Sequence, residues 1–295
     1  MKTGILKAEG LCKSYGTQEV LSNLDLTIEP GKIYGLIGRN GVGKTTLLSI
    51  LTGQNTHNAG YVTYNDQPVW ENQEALNDLC FSRELQPTMF NGPNNLKVSH
   101  YIKSGAIFYP NWDQEYADAL MAEFKLDPKK IAQLSQGQMS MVTILIALGS
   151  RAPITILDEP VAGLDVVMRE RFYQLLLADY TQTGRTFVVS THILEEAAGV
   201  FERVIILDRG RVIENTPVDE LLCQFRAVSG HAEVVDRACM GVEVLSSQSL
   251  GLHKSCVVRS SPEKLAMLER SGADVTISPV TLQNAFVALC GHGDM

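Results

Sequence analysis

Apolar and polar residues alternate over 24–28, with Leu24, Leu26 and Ile28 on one side and Asp25 and Thr27 on the other. A period of two predicts a half-buried strand. "YVTYNDQP" (61–68) predicts another strand ending in a turn, and "KIYGLIG" (32–38) a short apolar one. The period then lengthens: "KTTLLSILTG" (44–53) has helical spacing and a glycine stop at Gly53. From about 85 to 150 the pattern turns mainly helical, in "YADALMAEFKL" (116–126) and "MSMVTILIALGS" (139–150), behind a Pro-, Gly- and Asn-rich loop at 85–96. Strand and helix alternate next: "PITILDEP" (153–160), a helix over 166–184, and "TFVVSTH" (186–192). "RVIILDRGRVI" (203–213) reads as a hairpin turning at Arg209 and Gly210.

The pattern shifts near 223. "GVEVLSS", "SCVVRSS" and "DVTISP" read as strands, and "SPEKLAMLERSG" and "TLQNAFVALCG" as helices. They predict a small α+β appendage over 223–295, after a larger domain over 1–222.

Composition narrows the function classes. The net charge is −8, from 25 Lys plus Arg against 33 Asp plus Glu. A phosphate backbone rewards a basic surface, so a nucleic-acid partner is not expected. The six cysteines form no CxxC pair, which points to reduced thiols rather than a metal or disulfide framework. The N-terminus lacks the apolar core of a signal peptide. The most apolar run, 141–149, is far shorter than the ~20 residues that span a bilayer. A membrane role must therefore run through a partner.

The chemistry starts with Gly38-Arg39-Asn40-Gly41-Val42-Gly43-Lys44-Thr45, which fits G-x-x-x-x-G-K-[ST]. It follows an apolar strand and opens a helix. Glycines let successive N–H groups converge on phosphate oxygens at a helix N-terminus that already favours anions. Lys44 is expected to reach the β- and γ-phosphates and Thr45 to ligate Mg²⁺, with Thr46 beside it. A tight turn with a solvent-exposed lysine is the plainer alternative. "ITILDEP" (154–160) ends an apolar strand on Asp158, a carboxylate suited to Mg²⁺, and Glu159 beside it suits polarisation of an attacking water. "LSQGQ" (134–138), "AGLD" (162–165) and "STH" (190–192) complete the order.

Together these motifs resemble the nucleotide-binding subunit of an ATP-binding-cassette transporter, over roughly residues 4–222. The resemblance implies an α/β P-loop NTPase: a RecA-like mixed sheet core with an antiparallel β subdomain and a helical subdomain at about 85–150. It also implies ATP and Mg²⁺ as cofactors, a second ATPase subunit, an integral-membrane permease, and a place on the cytoplasmic face of the membrane. Tyr15 looks like the aromatic that stacks on adenine. Ser135, Gly137 and Gln138 look like the signature that closes on the γ-phosphate held by the other subunit. Asp165 resembles the interface aspartate, and His192 the switch histidine. Two positions depart from the pattern: Gln136 stands where a glycine is usual, and the glutamine that senses the γ-phosphate aligns with Glu84, with Gln86 two residues later. Glu84 is the expected third metal ligand.

A docking surface for the permease is expected near the helical insert, with Phe90, Tyr101, Phe108, Tyr109 and Trp112 as an apolar socket or simply as core. The tail "SPVTLQNAFVALCG", with "YPNWD" and "GLDVVMRE", is similar to ATPases of multidrug, antibiotic and bacteriocin exporters. Export is therefore expected, with import or a non-transport regulatory ATPase as alternatives. A P-loop kinase or GTPase leaves "LSQGQ" and "STH" unexplained.

Overall fold

The computed structural model describes residues 4–85, 96–126, 130–270 and 274–291. In chain order, β1 (Leu6–Tyr15) and β2 (Gln18–Ile28) form a long hairpin, and β3 (Ile33–Ile37) runs through the glycine loop into α1 (Lys44–Leu51). β4 (Ala59–Tyr64), β5 (Gln67–Pro68), α2 (Gln73–Asn77) and β6 (Leu79–Ser82) follow. The helical stretch holds α3 (Val98–Phe108), α4 (Gln114–Glu123) and α5 (Gln136–Gly149). β7 (Ile154–Asp158), α6 (Val166–Thr183), β8 (Thr186–Ser190), α7 (Leu194–Ala197), β9 (Arg203–Asp208) and β10 (Arg211–Pro217) come next. The chain ends with α8 (Val218–Leu222), β11 (Phe225–His231), α9 (Ala232–Ala238), β12 (Glu243–Leu250), β13 (His253–Arg259), α10 (Pro262–Arg270), β14 (Val275–Ser278) and α11 (Leu282–Cys290).

Two compact units result, Met1–Asn215 and Thr216–Met295. The division falls between Asn215 and Thr216 rather than after residue 222, because α8 packs against α11 of the tail.

Unit one carries two sheets. An antiparallel sheet has the order β2-β1-β4-β5, and a mixed sheet the order β10-β9-β3-β8-β7-β6. Within the mixed sheet, β9, β3, β8, β7 and β6 run parallel. β3, β7 and β8 are buried at every position, as parallel strands covered on both faces must be. Their apolar residues share a core with β1, β2, β4 and α1. Helix α5 is apolar nearly all round and lies buried against α3, α4, β6 and β7. Its Val142, Ile144, Leu145 and Leu148 are essentially inaccessible, and such side chains contribute about 1.5–3 kcal/mol each on burial.

A charged knot ties the ends of these elements together. Arg185 is fully buried and donates through Nε and Nη2 to both oxygens of Asp179, at 2.7 and 2.8 Å. Its Nη2 also donates to Leu148 O, on the C-terminal turn of α5. Arg151 donates to Asp179 at 2.7 Å and to Asp113, the N-cap of α4, at 3.0 Å. One aspartate thus joins α6, the end of α5 and the start of β8.

The second unit is a four-stranded antiparallel sheet of order β12-β13-β11-β14. The succession β11-α9-β12-β13-α10-β14 in that order is a ferredoxin-like arrangement. β11 and α9 lie where the apolar pattern predicted no element. The unit has its own core, which includes Val228, Val235, Cys256, Val258 and Leu265.

Candidate functional site

The ends of β3, β8 and β7 lie side by side, so the segments leaving them meet at one sheet edge. α/β sheets bind ligands at such carboxyl ends. β3 leaves into the glycine loop, β8 ends on Ser190 two residues before His192, and β7 ends on Asp158. Gly43 takes φ 108°, a backbone open to glycine, and an added Cβ would meet Val20 Cγ1 at 3.0 Å. It precedes α1, whose first turn has no side-chain cap and no acidic residue. Those N–H groups are the anion-binding end of the helix.

A cavity of about 410 Å³ opens there, lined by Asn40, Gly41, Gly43, Lys44, Thr45, Thr46, Asp158 and Glu159 together with Val20. Lys44 is buried and donates to Gly38 O at 2.8 Å and Arg39 O at 3.3 Å. Burial pushes its ammonium below the ordinary lysine value, against the opposing pull of Glu159 and Asp158. Glu159 Oε1 lies 3.9 Å away. Val42 closes the loop with a bond from its N–H to Arg39 O. A wider groove of about 890 Å³ opens in the second unit, among Val234, Met240 and Met267, without a phosphate loop or acid pair. Chemistry rather than size picks the smaller cavity.

The hydroxyl of Thr45 donates to Asp158 Oδ2 at 2.6 Å, and that of Ser190 to Asp158 Oδ1 at 2.6 Å. Three hard oxygen donors therefore converge with no nitrogen or sulfur ligand among them, which suits Mg²⁺ rather than a transition metal. Ser190 belongs to the "STH" motif, but its place beside Asp158 was not legible, since the motif singles out only the histidine. Glu159 takes φ 49°, with its N–H held by Ser190 O and its Oε2 2.8 Å from His192 Nδ1.

Other expected residues lie elsewhere. Ser135 caps α5, and Gln138 returns the bond to the Ser135 N–H, a complete capping box. Gly137 sits against the loop after β7: a Cβ there would come within 2.6 Å of Gly163 O. Asp165 caps α6 through the Met168 N–H. Ser135, Gly137, Gln138 and Asp165 do not line the cavity in the same chain. Tyr15, half exposed, stands at the tip of the β1–β2 hairpin.

Glu84 meets the start of α5. Its Oε1 accepts from Gln136 Nε2 at 2.9 Å, so the two residues that break the family pattern bond to each other. Among the described residues, no three acidic, His or Cys side chains cluster as a metal site, and Glu84 is not among the residues that line the cavity. Gln86 and Phe90 lie outside the described residues. The aromatic socket is mostly packing: Trp112 fills the notch left by Gly105 and Gly149, and burial pushes the Tyr109 phenol upward, beside Cys80. Tyr101 is half-buried. Phe108 and its neighbour Ile107 face outward, 71% and 80% exposed.

A family model described as ABC transporter matches residues 21–162. The aliphatic sulfonates import ATP-binding protein SsuB of Corynebacterium glutamicum is 35% identical over 215 residues, covering 71% of this chain and 83% of that protein. The chain belongs to the ABC transporter ATP-binding family. ATP-binding domains of this family hydrolyse ATP, and this cassette is the ATP-binding subunit of an ABC transporter. The Nod factor export ATP-binding protein I of Rhizobium etli is 28% identical over 298 residues, covering 95% of this cassette and 91% of that protein. A bacterial ABC transporter cassette solved as a dimer superposes with TM-score 0.62 at 26% identity, covering 72% of this cassette and 98% of that one.

Proposed function

We propose that this cassette pairs with a second one, its own copy or a close relative, to hydrolyse ATP at shared faces and drive a separate membrane permease. The observation that carries the reading is a split in its phosphate chemistry. Lys44, Thr45, Asp158 and Glu159 meet at one cavity, while Ser135 and Asp165 head helices that do not line it. A second chain whose signature helix faces the cavity completes the site. Among the described residues, no helix is long and apolar enough to cross a membrane. A permease must then supply the path, and the outward Ile107 and Phe108 suit its docking.

In this reading Tyr15 carries the base and the loop from Gly38 to Thr46 carries the phosphates. Thr45 and Asp158 would hold Mg²⁺, which when bound neutralises phosphate charge. Glu159 accepts a proton from the attacking water, and His192 holds the carboxylate in place. Lys44→Ala is expected to lose ATP binding, read by equilibrium titration of the purified chain. Unchanged affinity removes the phosphate loop from the site.

Export of a drug, antibiotic or peptide is the direction we favour. The exporter relative matches 95% of this chain, appendage included, whereas the importer relative matches 71%. The importer's higher identity, 35% against 28%, speaks for the other direction. Inverted membrane vesicles holding the cassette and its permease distinguish them. An exporter accumulates a fluorescent hydrophobic drug inside such vesicles when ATP is added outside; an importer does not.

A further inference from the structure

Three side chains at the tip of the first hairpin close a ring of contacts. Lys13 Nζ donates to Asn55 Oδ1 at 3.3 Å. Asn55 Nδ2 donates to the Tyr15 phenol oxygen at 2.7 Å. The Lys13 ammonium also lies 4.9 Å from the centre of the Tyr15 ring.

Lys13 is unusual for a lysine. It is only 7% exposed, and among the described residues it makes no ion pair with a carboxylate. Buried ammonium groups are costly unless polar or π partners replace water. Here those partners are one amide and one aromatic face. Asn55 is itself fixed, since its N–H donates to Ser49 O within α1. Three residues on, Asn58 accepts the Ser14 N–H at 2.7 Å and donates its own N–H to Cys12 O at 2.9 Å. The segment leaving α1 therefore grips the strand that ends on Tyr15. The same helix begins with Lys44.

We propose that Lys13 and Asn55 are positioning residues for the base of the nucleotide. Lys13 covers one face of the Tyr15 ring and Asn55 pins its hydroxyl, leaving only the opposite face to stack on a purine. This rests on the reading of Tyr15 as the base platform. An exposed tyrosine ordinarily samples several rotamers, and stacking on it must first freeze them. The ring of contacts pre-orders the platform before ATP arrives. The cation also withdraws π density from the outer face, which strengthens stacking against an electron-rich purine. Neither residue touches phosphate, so the effect is confined to the base.

That confinement gives the test. Affinities of the full chain for ATP and for inorganic tripolyphosphate, which has no base, are measured in parallel. Lys13→Met and Asn55→Leu are expected to weaken ATP roughly three- to tenfold, with tripolyphosphate unchanged. Lys13→Arg, which keeps a cation over the ring, restores ATP affinity. Tyr15→Phe removes the bond to Asn55 and matches Asn55→Leu, and the two changes together are no worse than either alone. Tyr15→Ala serves as the control for the platform. If Tyr15→Ala weakens ATP but Lys13→Met does not, the positioning role is overturned while the platform stands. If Tyr15→Ala leaves ATP affinity unchanged, the platform itself is overturned. A parallel loss of tripolyphosphate binding in Lys13→Met also overturns the proposal, because the change then reaches the phosphate loop.

Discussion

Glu159→Gln is expected to bind ATP as tightly as the parent chain and to hydrolyse it at least about a hundredfold more slowly. The amide keeps the size and the bond to His192, 2.8 Å from Oε2, so the loop after β7 has no reason to move. What it loses is the ability to take a proton from water. General-base catalysis of this kind is worth about 10²–10⁴ in rate. Lys44 loses one nearby negative charge, 3.9 Å away, which leaves its ammonium freer for phosphate. Binding should therefore hold or tighten while turnover stops, and an ATP-bound dimer should accumulate. Phosphate release, equilibrium ATP titration and light scattering with ATP read the three effects separately. Turnover at the parent rate would remove Glu159 from the role of base.

Asp179→Ala should have the largest effect on stability, a loss of about 3–5 kcal/mol. Asp179 and Arg185 are both fully buried, and the aspartate accepts from Arg151 as well. Removing the carboxylate leaves a buried guanidinium facing only neutral partners: oxygens of Leu148, Ala147, Ala152 and Thr155, and the Phe187 ring 4.6 Å away. Breaking a buried pair costs far more than the pair itself contributes, because the orphaned charge keeps its desolvation penalty. Urea unfolding monitored by circular dichroism measures the loss. A value under about 1 kcal/mol would mean that those neutral partners suffice for Arg185. Arg185→Met paired with Asp179→Leu should recover much of the loss, since neither charge then remains.

The chain displays its local physics openly and hides its long-range electrostatics. Alternation at Leu24, Leu26 and Ile28 and the apolar Ile154, Ile156 and Leu157 mark strands because burial on one or both faces dictates the period. The glycine loop and the acid pair are equally legible, since their chemistry demands fixed residue types at short spacing. Arg185 and Asp179 are only six positions apart, yet they read as ordinary surface charges until the ends of α5 and α6 come together around them. The partner of Glu84 is hidden for a related reason. Alignment supplies a position in the chain, but the direction of its side chain is set by Gln136, 52 residues away. In the tail, β11 was missed because "FRAVSGH" buries only Phe225 and Val228, too few for a period to show.

The left-handed turn at Glu159 has a consequence for how this enzyme can change. A residue carrying a Cβ pays about 1–2 kcal/mol to sit at φ 49°, and glycine would pay almost nothing. Selection for heat resistance alone would drift toward glycine there, and selection for work would drive it back. Durability and catalysis pull this one position in opposite directions.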